Sequence, residues 1–113
     1  MLIGELSRRT GVSRRLLRYY EEQGLLRPRR DVNSYRGYDE DAVRAVQHIR
    51  TLLAAGLSTE VIRQALPCAT GDPLELEMCP VLAETLRREL AALDDRIGSL
   101  RAARGALASY LPS

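Results

Sequence analysis

Apolar residues recur at helical spacing along most of the chain, and two stretches without that period interrupt it. Leu2 and Ile3 form an apolar pair that suits a short strand. Residues 4–9 follow as a first helix, with Leu6 on the same face as Ile3 and Thr10. Gly11 can end that helix, because glycine takes a positive φ without steric cost. Ser13 is a good N-cap, since its hydroxyl can accept from the free N–H groups of the next turn. The pattern then predicts a helix from Arg14 to Gly24, with Leu16, Leu17 and Tyr20 on one apolar face and Arg14, Arg15 and Arg18 opposite. Helix, glycine turn, helix is helix-turn-helix spacing. A short helix with a buried stripe and an arginine face can pack on a partner helix while its charged side meets a major groove. The plainer alternative is a solvated arginine face.

Residues 25–41 lose the period. Pro28, Asn33, Ser34 and Gly37 oppose a regular helix, while Arg27, Arg29, Arg30 and Arg36 crowd the stretch and Tyr35 and Tyr38 interleave. This composition predicts a small β-wing beside the arginine helix. Its arginines can neutralise phosphates and its tyrosine hydroxyls can donate to phosphate oxygens. A flexible basic loop is the alternative.

Asp39, Glu40 and Asp41 place acid where the next helix begins, which favours its dipole. That helix runs to about residue 55, with Val43, Val46, Ile49, Leu52 and Leu53 as its buried stripe and Gly56 as its stop. His48, the only histidine, lies beside the stripe without metal-ligand spacing, as a surface or boundary residue. Ser58 caps a fourth helix carrying Val61, Ile62, Ala65 and Leu66, and Pro67 stops it. Residues 68–79 hold Gly71, Pro73 and both cysteines and read as a connector, with one helical turn around residues 74–78. Pro80 suits a first helical turn. From there Leu86, Leu90, Leu93, Ile97, Leu100, Leu107 and Leu111 keep 4-3-4-3 spacing, with Arg104 in the single gap. Such a heptad seam predicts a coiled coil. At roughly 1.5 Å per residue the helix is about 48 Å long. Four short helices cannot cover it, so a second copy is the expected partner. Arg104 sits near the seam's end or meets a partner carboxylate.

Composition sharpens the division. All 17 basic residues are arginine, and the core must form without Phe or Trp. Residues 1–38 carry a balance of +5 and residues 39–113 a balance of −3, so the field that suits a polyanion is N-terminal. No apolar run reaches bilayer length, and the N-terminus does not read as a secretion signal. A cytoplasmic location with reduced cysteines is expected. No glycine-rich phosphate loop, His-Glu-x-x-His motif or nucleophile with a plausible base is present, so an enzyme is not expected.

Six motif blocks carry a family resemblance. They are Ile-Gly-Glu-Leu at 3–6, Thr-Gly-Val-Ser at 10–13, Leu-Arg-Tyr-Tyr-Glu at 17–21, Gly-Leu-Leu at 24–26, Tyr-Arg-x-Tyr at 35–38 and Ile-Arg-x-Leu-x-x-x-Gly-Leu-Ser at 49–58. In this order and spacing the chain resembles the MerR family of transcriptional regulators over residues 1–66, and the long helix matches by type. The resemblance implies a mainly α fold: a winged helix-turn-helix head of four helices and a small β-wing, then a long helix forming an antiparallel coiled coil. It implies domains at 1–67 (DNA-binding), 68–79 (connector) and 80–113 (dimerisation). It also implies a homodimer on a near-palindromic promoter operator, bending and untwisting the DNA so that RNA polymerase can use both promoter elements. Carried over by position, Arg15 and Arg18 stand at the groove or its flanking phosphates with Ser13 at the helix start, Arg36 and Tyr38 hold phosphates from the wing, and Tyr20 divides between packing and a phosphate; Arg14 and Arg30 are further expected DNA contacts. Leu16 departs from the family, which often has a small polar residue there; Ser34 and Gly37 depart within the wing.

The resemblance also frames the effector. A large drug-binding domain is not expected, and the four clustered cysteines of iron–sulfur members are missing, since only Cys68 and Cys79 exist. Cys79 stands at the head of the long helix, where metal-sensing members place one cysteine, but no cysteine follows that helix. Three readings stay open for the pair: thiolate ligands completed by other groups, a thiol switch closing a disulfide across the connector, or structural thiols. No cofactor is expected apart from a thiol-bound metal under the first reading. Two other functions fit the chain: a ligand-independent DNA-binding repressor, or a coiled-coil interaction module with structural cysteines.

Overall fold

The computed structural model describes residues 1–30 and 36–113. Its helices are α1 (Ile3–Thr10), α2 (Arg14–Glu22), α3 (Glu40–Ala54), α4 (Thr59–Ala65) and α5 (Pro80–Tyr110). Two short antiparallel ribbons join them: β1 (Arg29–Arg30) with β2 (Arg36–Gly37), and β3 (Ala69–Thr70) with β4 (Glu75–Leu76). The fold is thus mainly α with a small wing. It divides into two units, Met1–Glu77 and Met78–Ser113.

In the first unit, local chemistry sets each boundary. Gly11, at φ 73°, ends α1 and returns its N–H to the Ser7 carbonyl. The Ser13 hydroxyl accepts from the Leu16 N–H at 3.1 Å and starts α2. Asp39 and Ser58 cap α3 and α4 in the same way, each accepting at 3.3 Å from the third residue beyond. Leu6, Leu17, Tyr20, Val46, Ile49 and Ile62 form the fully buried centre. Across the head, Arg50 of α3 donates to the Thr10 carbonyl at 3.1 Å, and Ser7 donates to the Val12 carbonyl at 2.6 Å. Both bonds hold the turn between α1 and α2.

Four expectations change here. Leu2 and Ile3 form no strand: the Leu2 carbonyl accepts from Glu5 and Leu6, so the helix starts at Ile3. Leu16 is 40% exposed, and Leu53 also faces outward, while Ala42 and His48 join the buried face of α3. His48 is therefore a core residue; its Nε2–H donates to the Gly71 carbonyl at 2.9 Å. The helical turn expected at 74–78 is instead the second strand of a hairpin. Leu74 and Leu76 are half-buried between exposed Glu75 and Glu77, which is a period of two. Gly71, at φ 76°, supplies its turn. The positions of Asn33, Ser34 and Tyr35 in the expected wing lie outside the described residues.

A clamp holds the end of α2. Arg63 of α4 donates from both Nε, at 2.8 Å, and Nη2 to the carbonyl of Gln23, the C-cap of α2. A cation at a helix C-terminus also opposes the partial negative charge there. Arg63→Ala should cost about 1 kcal/mol and lower the melting temperature by about 4–8 °C. Thermal unfolding followed by circular dichroism checks this; an unchanged midpoint would remove the clamp from the account.

The second unit is α5, of 31 residues. Cys79 is its N-cap, the sulfur accepting from the Leu82 N–H at 3.4 Å, and Pro80 occupies the first turn. Leu82 and Thr85 are its buried residues and Leu86 is half-buried. Leu90, Leu93, Ile97, Leu100 and Leu107 are exposed, Leu100 at 66% and Leu107 at 69%. Leu111 lies just past the helix, whose last residue is Tyr110.

Candidate nucleic-acid interface

The buried side of α2 fixes what its other side presents. Leu17 is fully buried and Tyr20 is 1% exposed, so both anchor the helix in the head. Burial raises the Tyr20 phenol pKa, against the opposing influence of Arg50. Tyr20 thus packs within the head. Arg15 and Arg18 are exposed along the outer face with Tyr19 beside Arg15, and Leu16 is partly exposed on its flank. Arg14 is exposed too, but its guanidinium lies over Gly4 of α1; a Cβ at Gly4 would stand 2.6 Å from Nη2.

The wing is braced to α2 by side chains distant in sequence. Tyr38 is 8% exposed, and its hydroxyl donates to Oε1 of Glu21 in the last turn of α2. Its backbone pairs with Met1 in both directions, at 2.6 and 2.7 Å. Tyr38 is therefore a brace between wing and helix, and its hydroxyl is engaged within the head. An open cleft of 470 Å³ runs beside it, lined by Leu2, Ile3, Arg18, Glu21, Glu22 and Tyr38. In the wing itself, Arg29 pairs with Gly37 and Arg30 with Arg36 across the ribbon. The Arg29 guanidinium meets Asp39 at 3.3 Å and Asp41 at 3.9 Å, so acid at the start of α3 offsets part of its charge. Arg9 and Glu40 form a bidentate, exposed pair joining α1 to α3. The hydrogen bond from Arg9 holds the Glu40 carboxyl below its ordinary value and raises Arg9. That contribution is present at neutral pH and fades as pH falls through the lowered Glu40 value.

The MerR HTH family regulatory protein model matches residues 1–67. The chain belongs to the MerR family. Its relatives extend past the head. HTH-type transcriptional regulator HmrR of Sinorhizobium medicae is 35% identical over 108 residues, covering 89% of this chain and 72% of that protein. Heavy metal-dependent transcription regulator 1 of Rhizobium meliloti is 40% identical over 111 residues, covering 89% of this chain and 73% of that protein. Among solved structures, the transcription regulator PbrR691 of Ralstonia metallidurans, in complex with lead(II), superposes with a TM-score of 0.77 at 30% identity, over 96% of this chain and 83% of that one. These are transcription regulators, not enzymes, and this MerR chain is a DNA-binding regulator of the same kind.

Cys68, half-buried in the 3-10 turn Leu66–Cys68, and Cys79, exposed, are both free thiols. Among the described residues no group of three or more His, Cys, Asp or Glu side chains converges to hold a metal. Sequence reasoning missed the Tyr38–Glu21 brace and the Arg63 clamp, because partners 17 and 40 residues apart leave no local signal. Among the described residues no helix is long and apolar enough to cross a membrane.

Proposed function

We propose that two copies of this MerR regulator join along α5 and set two α2 helices into successive major grooves of a near-palindromic promoter operator. The head at 1–67 binds DNA, residues 68–79 connect, and residues 80–113 dimerise. Binding deforms the duplex to control its use by RNA polymerase, so operator choice includes a deformation energy besides base contacts. The observation that carries this reading is the outer face of α2: Arg15 and Arg18 exposed on a helix whose opposite side is fully buried.

The seam supports an antiparallel partner. Pairing Leu90 with the partner's Leu107, Leu93 with the partner's Arg104 and Ile97 with the partner's Leu100 buries the exposed row in one register. That register brings Asp94 towards the partner's Arg101 and Arg104. It gives the arginine in the seam a carboxylate and repeats the pairing by symmetry.

The input is assigned to the thiols. The relatives named for heavy metals and the lead(II) complex make a soft metal or an oxidant the signal to test. Replacing both Cys68 and Cys79 with Ser should leave operator affinity within about twofold and abolish the response. Footprinting of the purified protein on its own upstream region, under reducing, oxidising and metal-loaded conditions, reads both. A double variant that responds like the parent removes the thiols from the account.

A further inference from the structure

Leu16 is the residue whose surroundings fit its sequence pattern least. It lies four residues before the buried Tyr20, yet it is 40% exposed. The reason is its place in the first turn of α2. Helical side chains lean towards the N-terminus and cover the turn before their own Cα. For Leu16 that turn is absent, because the helix begins at Arg14 behind the Ser13 cap. Its isobutyl group is therefore left partly in solvent.

The neighbours define what can cover it. Arg15 and Arg18 are exposed on the same helix, and Tyr19, one turn on from Arg15, is 43% exposed. An exposed apolar group in the first turn of a recognition helix, on the flank of its arginine face, stands where such helices meet base edges. The one apolar feature that a major groove offers there is the C5-methyl group of thymine. We propose that Leu16 is a base-reading residue, selecting thymine in each half-site by contact with that methyl. Arg15 and Arg18 bring the helix to the phosphates and bases, and Leu16 adds a preference that charge cannot supply. The inference rests on the DNA-binding reading above and adds the base chemistry to it.

Deoxyuridine differs from thymidine only by the missing methyl, which makes it the probe. The promoter duplex protected in footprinting is made with each thymine replaced in turn by deoxyuridine, and equilibrium affinity is measured for the full chain. One position in each half-site should weaken binding about fourfold, and about fifteenfold when both half-sites are changed, the worth of one methyl each. The Leu16→Ala variant, whose folding is verified by its thermal midpoint, should bind thymine and deoxyuridine duplexes equally at that position. Parent protein that tolerates deoxyuridine everywhere overturns the proposal while DNA binding stands; so does Leu16→Ala protein that still discriminates. Failure to bind any promoter duplex overturns the DNA-binding reading itself, and this inference with it.

Discussion

Ile97→Glu and Leu100→Glu together should leave the chain monomeric at micromolar concentration and weaken operator binding on the order of 100-fold or more. Both side chains are exposed on a single α5 and lie at the middle of its heptad row. In a symmetric pair each is buried twice. At about 1.5–3 kcal/mol per buried aliphatic side chain, four such groups contribute on the order of 5 kcal/mol or more. Glutamates there also place like charges against each other across the seam. The loss at the operator comes from valency, since two linked heads gain on the order of 100-fold or more over one without any new contact. The head keeps its own core of Leu6, Leu17, Tyr20, Ile49 and Ile62, so its thermal unfolding should persist. Light scattering coupled to size exclusion gives the mass, and gel retardation gives the affinity. A variant that stays dimeric would move the dimer contact off this face.

Arg18→Ala should weaken operator binding by about 1–3 kcal/mol, and it should also flatten the salt dependence. Arg18 is exposed on α2 and lines the cleft beside the wing together with Glu21 and Glu22. Removing it takes away a charge at the groove without disturbing Leu17 or Tyr20. Arg44 of α3 serves as the matched control. It is also exposed and carries the same charge, but it pairs with Asp41 at 3.7 Å in its own helix. Arg44→Ala should leave affinity within about twofold. Equal losses from the two variants would mean that the head acts only through its overall charge, without an α2-specific contact.

Much of this architecture can be read from single residues, because the signals are local. Gly11, Ser13, Asp39, Ser58 and Pro80 each act within one turn, and each stands at the boundary its chemistry dictates. The seam of α5 is equally local, repeating every seven residues. What escaped has two physical origins. Leu16 obeys the helical period but not its consequence, because periodicity assigns faces and ignores where the helix starts. The β3–β4 ribbon has strands of two residues, too short for alternation to outweigh a helical reading of Leu74 to Met78. At the site, the exposed arginines of α2 follow from the buried stripe. The engagement of Tyr38 by Glu21 does not, because the partners lie 17 residues apart in sequence.

The central claim is that two arginine-faced heads on one leucine-paired rod hold a promoter operator. Its most direct test is titration of the promoter fragment with purified protein across a salt series, with complex mass measured in parallel. Two chains per operator are expected, with an affinity falling with salt at a log–log slope of about −3.6 or steeper, as when at least Arg15 and Arg18 of both protomers displace counterions. A complex of one chain per operator, or a shallow slope with equal affinity for unrelated duplex, would contradict it.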